Sequence, residues 1–177
     1  MHIAGQQLEG QLLYERQKAL RATQPYPAAP MIIATNLQVP DNIGSVLRLA
    51  DAAGSRRVIF IAATELDLQR VHKRARNCEQ FIQWDVYTPE QFLSEVESLR
   101  PLVAVEITTE SGNIFKAALP NPCAFMIGSE RHGIPSAILA KCDYAVHIPV
   151  YGVNGSMNVT HALGIALFEW RRQQAHF

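Results

Sequence analysis

A chain of 177 residues is long enough for one domain to bury about two thirds of its unfolded surface, with no metal or disulfide needed to hold it. Its 16 Lys and Arg cancel its 16 Asp and Glu, so any nucleic-acid partner must be held by a local patch rather than by a net field. Cys78, Cys123 and Cys142 are an odd number at wide spacing and read as free thiols of a reducing compartment. With no basic-then-apolar leader and no run of the ~18 apolar residues that a membrane span needs, a soluble, cytoplasmic protein is expected.

Residues 7–22 form a weak helical pattern, with Leu8, Leu12, Ala19 and Leu20 loosely on one side and Arg16, Lys18 and Arg21 on another. The prolines from Thr23 to Pro30 make a stiff linker, so residues 1–30 are expected to be an extension and 31–177 the folded domain. Met31 to Asn36 reads as a buried strand, followed by a helix from Asn42 that Gly54 stops. Arg57 to Ala62 is a second strand, and Leu66 to Asn77 a helix crowded with Arg70, His72, Lys73, Arg74 and Arg76. A short strand over 81–87, a helix over 89–99 opened by proline after Thr88, and a strand over 102–106 continue the alternation. Cys123 to Ile127 is apolar at every position, as a parallel strand covered on both faces should be, and Tyr144 to Ile148 reads similarly. A last apolar helix begins near Asn158. Strand and helix repeated five or six times imply an α/β fold, a mostly parallel sheet with helices on both faces.

The final two strands both end in polar residues and glycines: Gly128-Ser129-Glu130-Arg131-His132-Gly133 after the first, Ile148 to Asn158 after the second. In open α/β sheets ligands sit beyond the carboxyl ends of the strands, so chemistry is expected there. Familiar alternatives fail. Ile134-Pro135 stands where a Walker loop needs Lys and Ser/Thr, no Gly-x-Gly-x-x-Gly follows the first strand, Ser129 lies in no Gly-x-Ser-x-Gly elbow, and no metal-ligand spacing occurs. On the helix from Asn42, three-residue spacing suggests that Asn42, Ser45 and Arg48 project together away from the packed side. The basic helix, through Arg70, Lys73, Arg74 and Arg76, is the candidate phosphate-tracking patch, and Arg16, Lys18 and Arg21 could extend it. On the C-terminal helix Val159, Ala162, Leu163, Ala166 and Trp170 share a stripe, while Ile165, Leu167 and Phe168 fall outside it. That is more apolar surface than one packed face uses, so a second subunit is expected to cover the remainder.

Asn42-Ile43-Gly44-Ser45-Val46-Leu47-Arg48, Gly128-Ser129-Glu130 with Gly133, and Ile148-Pro149 with Ser156-Met157-Asn158-Val159 together resemble the three motifs of the SpoU/TrmH branch of the SPOUT RNA methyltransferases, over roughly residues 31–174. The third motif usually reads Ser-Leu-Asn, and Met157 for Leu is a volume-conserving exchange. The resemblance implies a ribose 2′-O-methyltransferase of tRNA or rRNA that uses S-adenosylmethionine and no metal, acts as a homodimer, and threads its C-terminal segment into a trefoil knot. It implies that Gly128, Ile148 and Met157, with Glu106 beside them, line the cofactor pocket, glycine leaving room for the cofactor against the main chain. It implies a catalytic group of Arg48, Asn42, Glu130, Ser156 and Asn158. In family accounts the arginine is the general base; the alternative is that Arg48 clamps phosphate and stabilises developing alkoxide charge while another group takes the proton. The Gly-Ser-Glu-Arg and Ser-Met-Asn segments look most like the tRNA enzymes, with a D-loop guanosine the first choice of target. An rRNA ribose, a base instead of a ribose, and an RNA-binding protein that kept the fold without catalysis are the competing readings.

Overall fold

The computed structural model describes residues 5–23, 26–63, 66–75 and 78–174, apart from the side chains of Leu68 and Arg70. Seven strands form one sheet in the order β3-β2-β1-β6-β4-β7-β5. They are β1 (Met31–Thr35), β2 (Arg57–Ile61), β3 (Gln83–Tyr87), β4 (Leu102–Val105), β5 (Gly112–Asn113), β6 (Ala124–Ile127) and β7 (Tyr144–His147). Every pairing is parallel, with Ile33 opposite both Ile59 and Met126 and Ala104 opposite Met126. The helices are α1 (Gly10–Thr23), α2 (Pro40–Ala53), α3 (Leu68–Ala75), α4 (Pro89–Glu95), α5 (Ser136–Leu139) and α6 (Val159–Gln174).

Side chains alternate along a strand, so each strand feeds two cores. Ile32, Phe60, Val103 and Phe125 pack with Val46 and Leu47 of α2, Val71 of α3, and Leu163 and Trp170 of α6. Ile33, Ile59, Leu102 and Met126 pack on the opposite face with Phe92 of α4 and Ile138 of α5. The expected two-sided α/β layering is therefore observed. Local chemistry fixes the helix ends. Gly54, at φ 78°, closes α2 in the left-handed conformation, where a side chain is disfavoured. Thr88 and Gln91 form a reciprocal capping box that starts α4.

Some expectations change. The helix foreseen over 89–99 is α-helical only to Glu95 and tightens to a 3₁₀ turn over Val96–Leu99. β7 is covered less completely than expected: Val146 is buried, Ala145 and His147 are half-buried, and Tyr144 is 38% exposed. Leu167 belongs to the chain's own core, because it follows Leu163 by one turn and joins Ala166 and Trp170 on the buried stripe of α6. Only Phe168 of the supposed surplus is largely exposed, at 52%, with Ile165 half-buried. α1 has no buried residue and meets the body through Arg21, whose guanidinium donates to Asp51 Oδ1 at 2.9 Å and to the Asp51 carbonyl at 3.2 Å. At the other end of the chain Arg171 donates to the carbonyls of Ala53 and Pro27, each at 2.7 Å, tying α6 to the end of α2 and to the linker.

Candidate active site

The carboxyl ends of the neighbouring strands β6, β4 and β7 open into a hollow of about 650 Å³, within the range of small-molecule sites. Its floor is built by the turn after β6. A Cβ on Gly128 would overlap backbone atoms of Gly133 and Ile134, because the chain doubles back there and Ser129 and Gly133 exchange two backbone hydrogen bonds of 3.0 Å. The side chain missing at Gly128 thus makes room for the protein's own turn, a correction to the expectation that it makes room for a cofactor. Gly133, at φ +63°, turns the chain where a Cβ would come within 2.5 Å of Glu106 Oε2. Glu106 in turn accepts hydrogen bonds from the amides of Ile107 (3.0 Å) and Ile134 (3.2 Å), locking the end of β4 to that turn.

A polar cluster sits beside this floor. Asn42, in the first turn of α2, is only 8% exposed, and a buried amide is costly unless bonded. It is bonded on both sides: its Nδ2 donates to Glu130 Oε1, and its Oδ1 accepts from Asn158 Nδ2 at 3.4 Å. Asn158 also caps α6, its Oδ1 accepting from the backbone amide (2.8 Å) and hydroxyl (2.6 Å) of Thr160. Glu130, Ser156, Asn158, Ile148 and Met157 all line the hollow, as do Gly128 and Glu106. Among the residues singled out by sequence, the fold therefore brings together the whole expected cofactor set and every expected catalytic residue except one.

The exception is Arg48, which is exposed and does not line the hollow. Six residues along a helix advance it about 9 Å from Asn42 and turn it about 120° away. Asn42, Ser45 and Arg48 are correspondingly buried, half-buried and exposed, so the shared polar side inferred from three-residue spacing does not exist as drawn. Arg48 instead lies near Cys78 and Asp51; burial pushes the Cys78 thiol up, Asp51 adds to that, and Arg48 opposes it.

Of the expected phosphate-tracking residues, the Arg70 side chain and Arg76 lie outside the described residues. Lys73 and Arg74 flank a small cleft with Val39, Pro40 and Asp41 at the start of α2. Arg74 Nε pairs with Asp41 Oδ1 at 2.6 Å. Gly44 explains the closeness: a Cβ there would come within 2.5 Å of the Arg74 Cβ and 2.9 Å of its carbonyl carbon, so the motif glycine permits α2 to press against α3.

One residue of the hollow was not foreseen. His147, at the end of β7, lines it and is anchored by Nδ1, 3.0 Å from the Ser111 carbonyl and 3.1 Å from the Ser111 hydroxyl. The carbonyl can only accept, so Nδ1 carries the proton in that bond. Nothing in the sequence around Ser111 signals this contact. The segment from Pro149 to Met157 makes no hydrogen bond to any described residue, so the main-chain groups along one wall are free to meet polar groups of a ligand.

The three thiols are unpaired, and burial pushes Cys123 up to about 12 and Cys142 up to about 11, Asp143 adding to the latter. Among the described residues no helix is long and apolar enough to cross a membrane, and no group of His, Cys, Asp and Glu could hold a metal ion.

Residues 29–168 match the family model described as the SpoU rRNA Methylase family. A 23S rRNA (uridine(2479)-2′-O)-methyltransferase of Streptomyces viridochromogenes is 33% identical over 143 residues, 76% of this chain and 50% of that protein. A crystal structure of an RNA 2′-O ribose methyltransferase superposes with a TM-score of 0.73 at 30% identity, covering 85% of this chain and 58% of that one. The SpoU methyltransferase AviRb of S. viridochromogenes, solved in complex with AdoMet, gives 0.74 at 25% identity, covering 87% and 64%. The chain thus spans only half to two thirds of the length of these relatives.

Proposed function

This chain belongs to the SpoU rRNA methylase family, and from that premise we propose that it is an S-adenosylmethionine-dependent RNA ribose 2′-O-methyltransferase. The observation that carries the reading is the meeting of Asn42, Glu130 and Asn158, from three distant parts of the chain, at the mouth of a hollow of small-molecule size. The hollow fits such a cofactor. Its walls offer apolar contact from Ile148 and Met157, and unbonded main chain along 149–157 supplies donors and acceptors for the cofactor's amino acid and adenine ends. S-adenosylmethionine, when bound, supplies an electrophilic methyl on a sulfonium.

The protein's part is positioning, since an in-line displacement needs alignment more than acid or base strength. Asn42 holds the Glu130 carboxylate by one oxygen, and we assign the other oxygen to accept the 2′-hydroxyl proton. Arg48 is exposed and lies outside the hollow, so its forked guanidinium is assigned to clamp an RNA phosphate beside the reacting ribose and not to act as the base. Lys73 and Arg74 extend that electrostatic track, and Phe168 with Ile165 on the outer side of α6 is the face a second subunit covers. For the substrate we take tRNA first, with a D-loop guanosine as target, because of the likeness of the Gly128–Arg131 and Ser156–Asn158 segments to tRNA enzymes. An rRNA substrate is the second reading, favoured by the relative named for 23S rRNA.

The test supplies tritiated S-adenosylmethionine with total tRNA or total rRNA from cells lacking the gene, and digests the product to nucleosides. Ribose-methylated nucleoside is expected, with Arg48→Ala lowering the rate on the order of 100-fold or more while calorimetric cofactor binding stays within about twofold. Label on a base, or no cofactor binding, overturns the reading.

A further inference from the structure

The loop between β7 and α6 is unusual in what it leaves bare. Tyr151 is 93% exposed and Val153 107%, on a stretch from Pro149 to Met157 that makes no hydrogen bond to any described residue. Cβ atoms on Gly152 and Gly155 would meet nothing within 4 Å, so the loop has open space on its flanks as well. The same loop contributes Val150, Asn154, Ser156 and Met157 to the wall of the hollow, so Tyr151 directly follows one wall residue along the chain. An aromatic ring left wholly in water forfeits the burial free energy it could gain, and an unbonded loop with two glycines can move to recover it.

We propose that Tyr151 is the stacking platform for the base of the nucleotide whose ribose is methylated, and that the loop orders when RNA arrives. The inference rests on the methyltransferase reading above. A ribose brought to the mouth of the hollow carries its base with it, and a base drawn out of its own stack presents a flat apolar face that aromatic side chains cover. The chemistry of the loop singles out the base over the backbone. From Pro149 to Met157 there is no charged residue, so this segment offers no cation to a phosphate. The charged groups lie elsewhere, on Arg48, Lys73 and Arg74, which leaves the roles divided between phosphate and base. A second copy of the chain is the other possible occupant of the ring, and the test tells the two apart.

Tyr151→Ala and Tyr151→Phe are compared with wild type for methyl transfer from tritiated S-adenosylmethionine to total RNA from cells lacking the gene. Stacking lost from one base predicts that Tyr151→Ala raises KM for RNA about 5- to 150-fold, with kcat at saturating RNA changed far less. Tyr151→Phe, which keeps the ring, restores KM to within about threefold of wild type. Calorimetric affinity for S-adenosylmethionine and the sedimentation coefficient stay as in wild type for both. An unchanged KM in Tyr151→Ala, a loss of cofactor affinity, a change of oligomeric state, or a Phe variant as impaired as Ala each overturns the platform. If wild type labels RNA normally and Tyr151→Ala does too, the platform alone falls. If wild type binds the cofactor but labels no RNA, the methyltransferase reading falls and takes the platform with it.

Discussion

Gly128→Ala is the sharpest single test of how the hollow is built. The added methyl would coincide with the carbonyl of Gly133 and the amide of Ile134, backbone atoms that no rotamer change can move aside. The turn must therefore open, and what opens with it can be counted: two 3.0 Å bonds between Ser129 and Gly133, the 3.1 Å bond from the His132 amide to Ser129 Oγ, and the 3.2 Å bond from Ile134 to Glu106. Overpacking alone costs about 1–3 kcal/mol, and each lost bond about 1 kcal/mol, reduced where water replaces it at this open site. A net loss of about 3–5 kcal/mol is expected, or roughly 6–20 °C in Tm for a domain of this size. Displacing the turn also carries Glu130 away from Asn42, so cofactor binding and methyl transfer fall together. Thermal melting and calorimetry with S-adenosylmethionine measure both. Gly152→Ala is the control, since its Cβ meets nothing within 4 Å, and its melting point should stay within about 2 °C of wild type. A Gly128→Ala protein that melts and binds like wild type refutes the geometry.

Further outcomes are expected from other contacts. Asn42→Asp sets a second carboxylate against Glu130, so transfer at pH 8 should fall by about tenfold or more and partly return toward pH 5.5 as the pair shares a proton; a pH–rate profile parallel to wild type would contradict this. Arg171→Ala removes two 2.7 Å bonds to carbonyls and a cation over the Trp170 ring at 5.3 Å, lowering stability by about 2–4 kcal/mol in urea, and Arg171→Lys should not restore it. Arg172, helped by Gln173, holds the Glu169 carboxyl below its usual range against the desolvation that raises it. A carboxylate so depressed adds stability above the unfolded value of about 4.3 and loses it as pH falls through the folded one. Glu169→Gln should therefore flatten the acid limb of the Tm-against-pH curve below about pH 4.5, and an unaltered acid limb would rule this out.

The parts of the fold legible in sequence were those with a local signal. β1, β2, β4 and β6 are buried on both faces and carry apolar runs of four residues, so their existence and parallel pairing followed from pattern. β5 did not, because Gly112 and Asn113 carry no apolar pattern and become a strand only by pairing with Val146 and His147. α5 is a single turn after Pro135, too short for any periodicity to announce it. The hollow was legible as a place, since strand ends and glycines marked it, but its bonding was not. Asn42 and Asn158 stand 116 residues apart, and no spacing rule connects an amide in one helix's first turn to the cap of another. Arg48 shows the converse error: a step of three residues falls 60° short of a full turn of the helix, and over two such steps a shared side becomes opposed ones.

The same helix that separates Arg48 from Asn42 also joins the two halves of the proposed RNA site. α2 is held at its start to the hollow through Asn42, and along the same turns to α3 through Gly44 against Arg74 and Asp41 against Arg74. The basic helix and the hollow are thus fixed to one element, so that in the proposed function RNA gripped by Lys73 and Arg74 would be delivered at a set distance from Glu130. Gly44→Ala, whose Cβ would come within 2.5 Å of Arg74 Cβ and 2.9 Å of its carbonyl carbon, should force α3 outward without touching the hollow. Cofactor affinity is then expected to survive while kcat/KM for RNA falls about tenfold and the salt dependence of RNA binding weakens. Equal loss of cofactor and RNA binding would mean that the close crossing supports the fold in general and does not set the spacing between grip and chemistry.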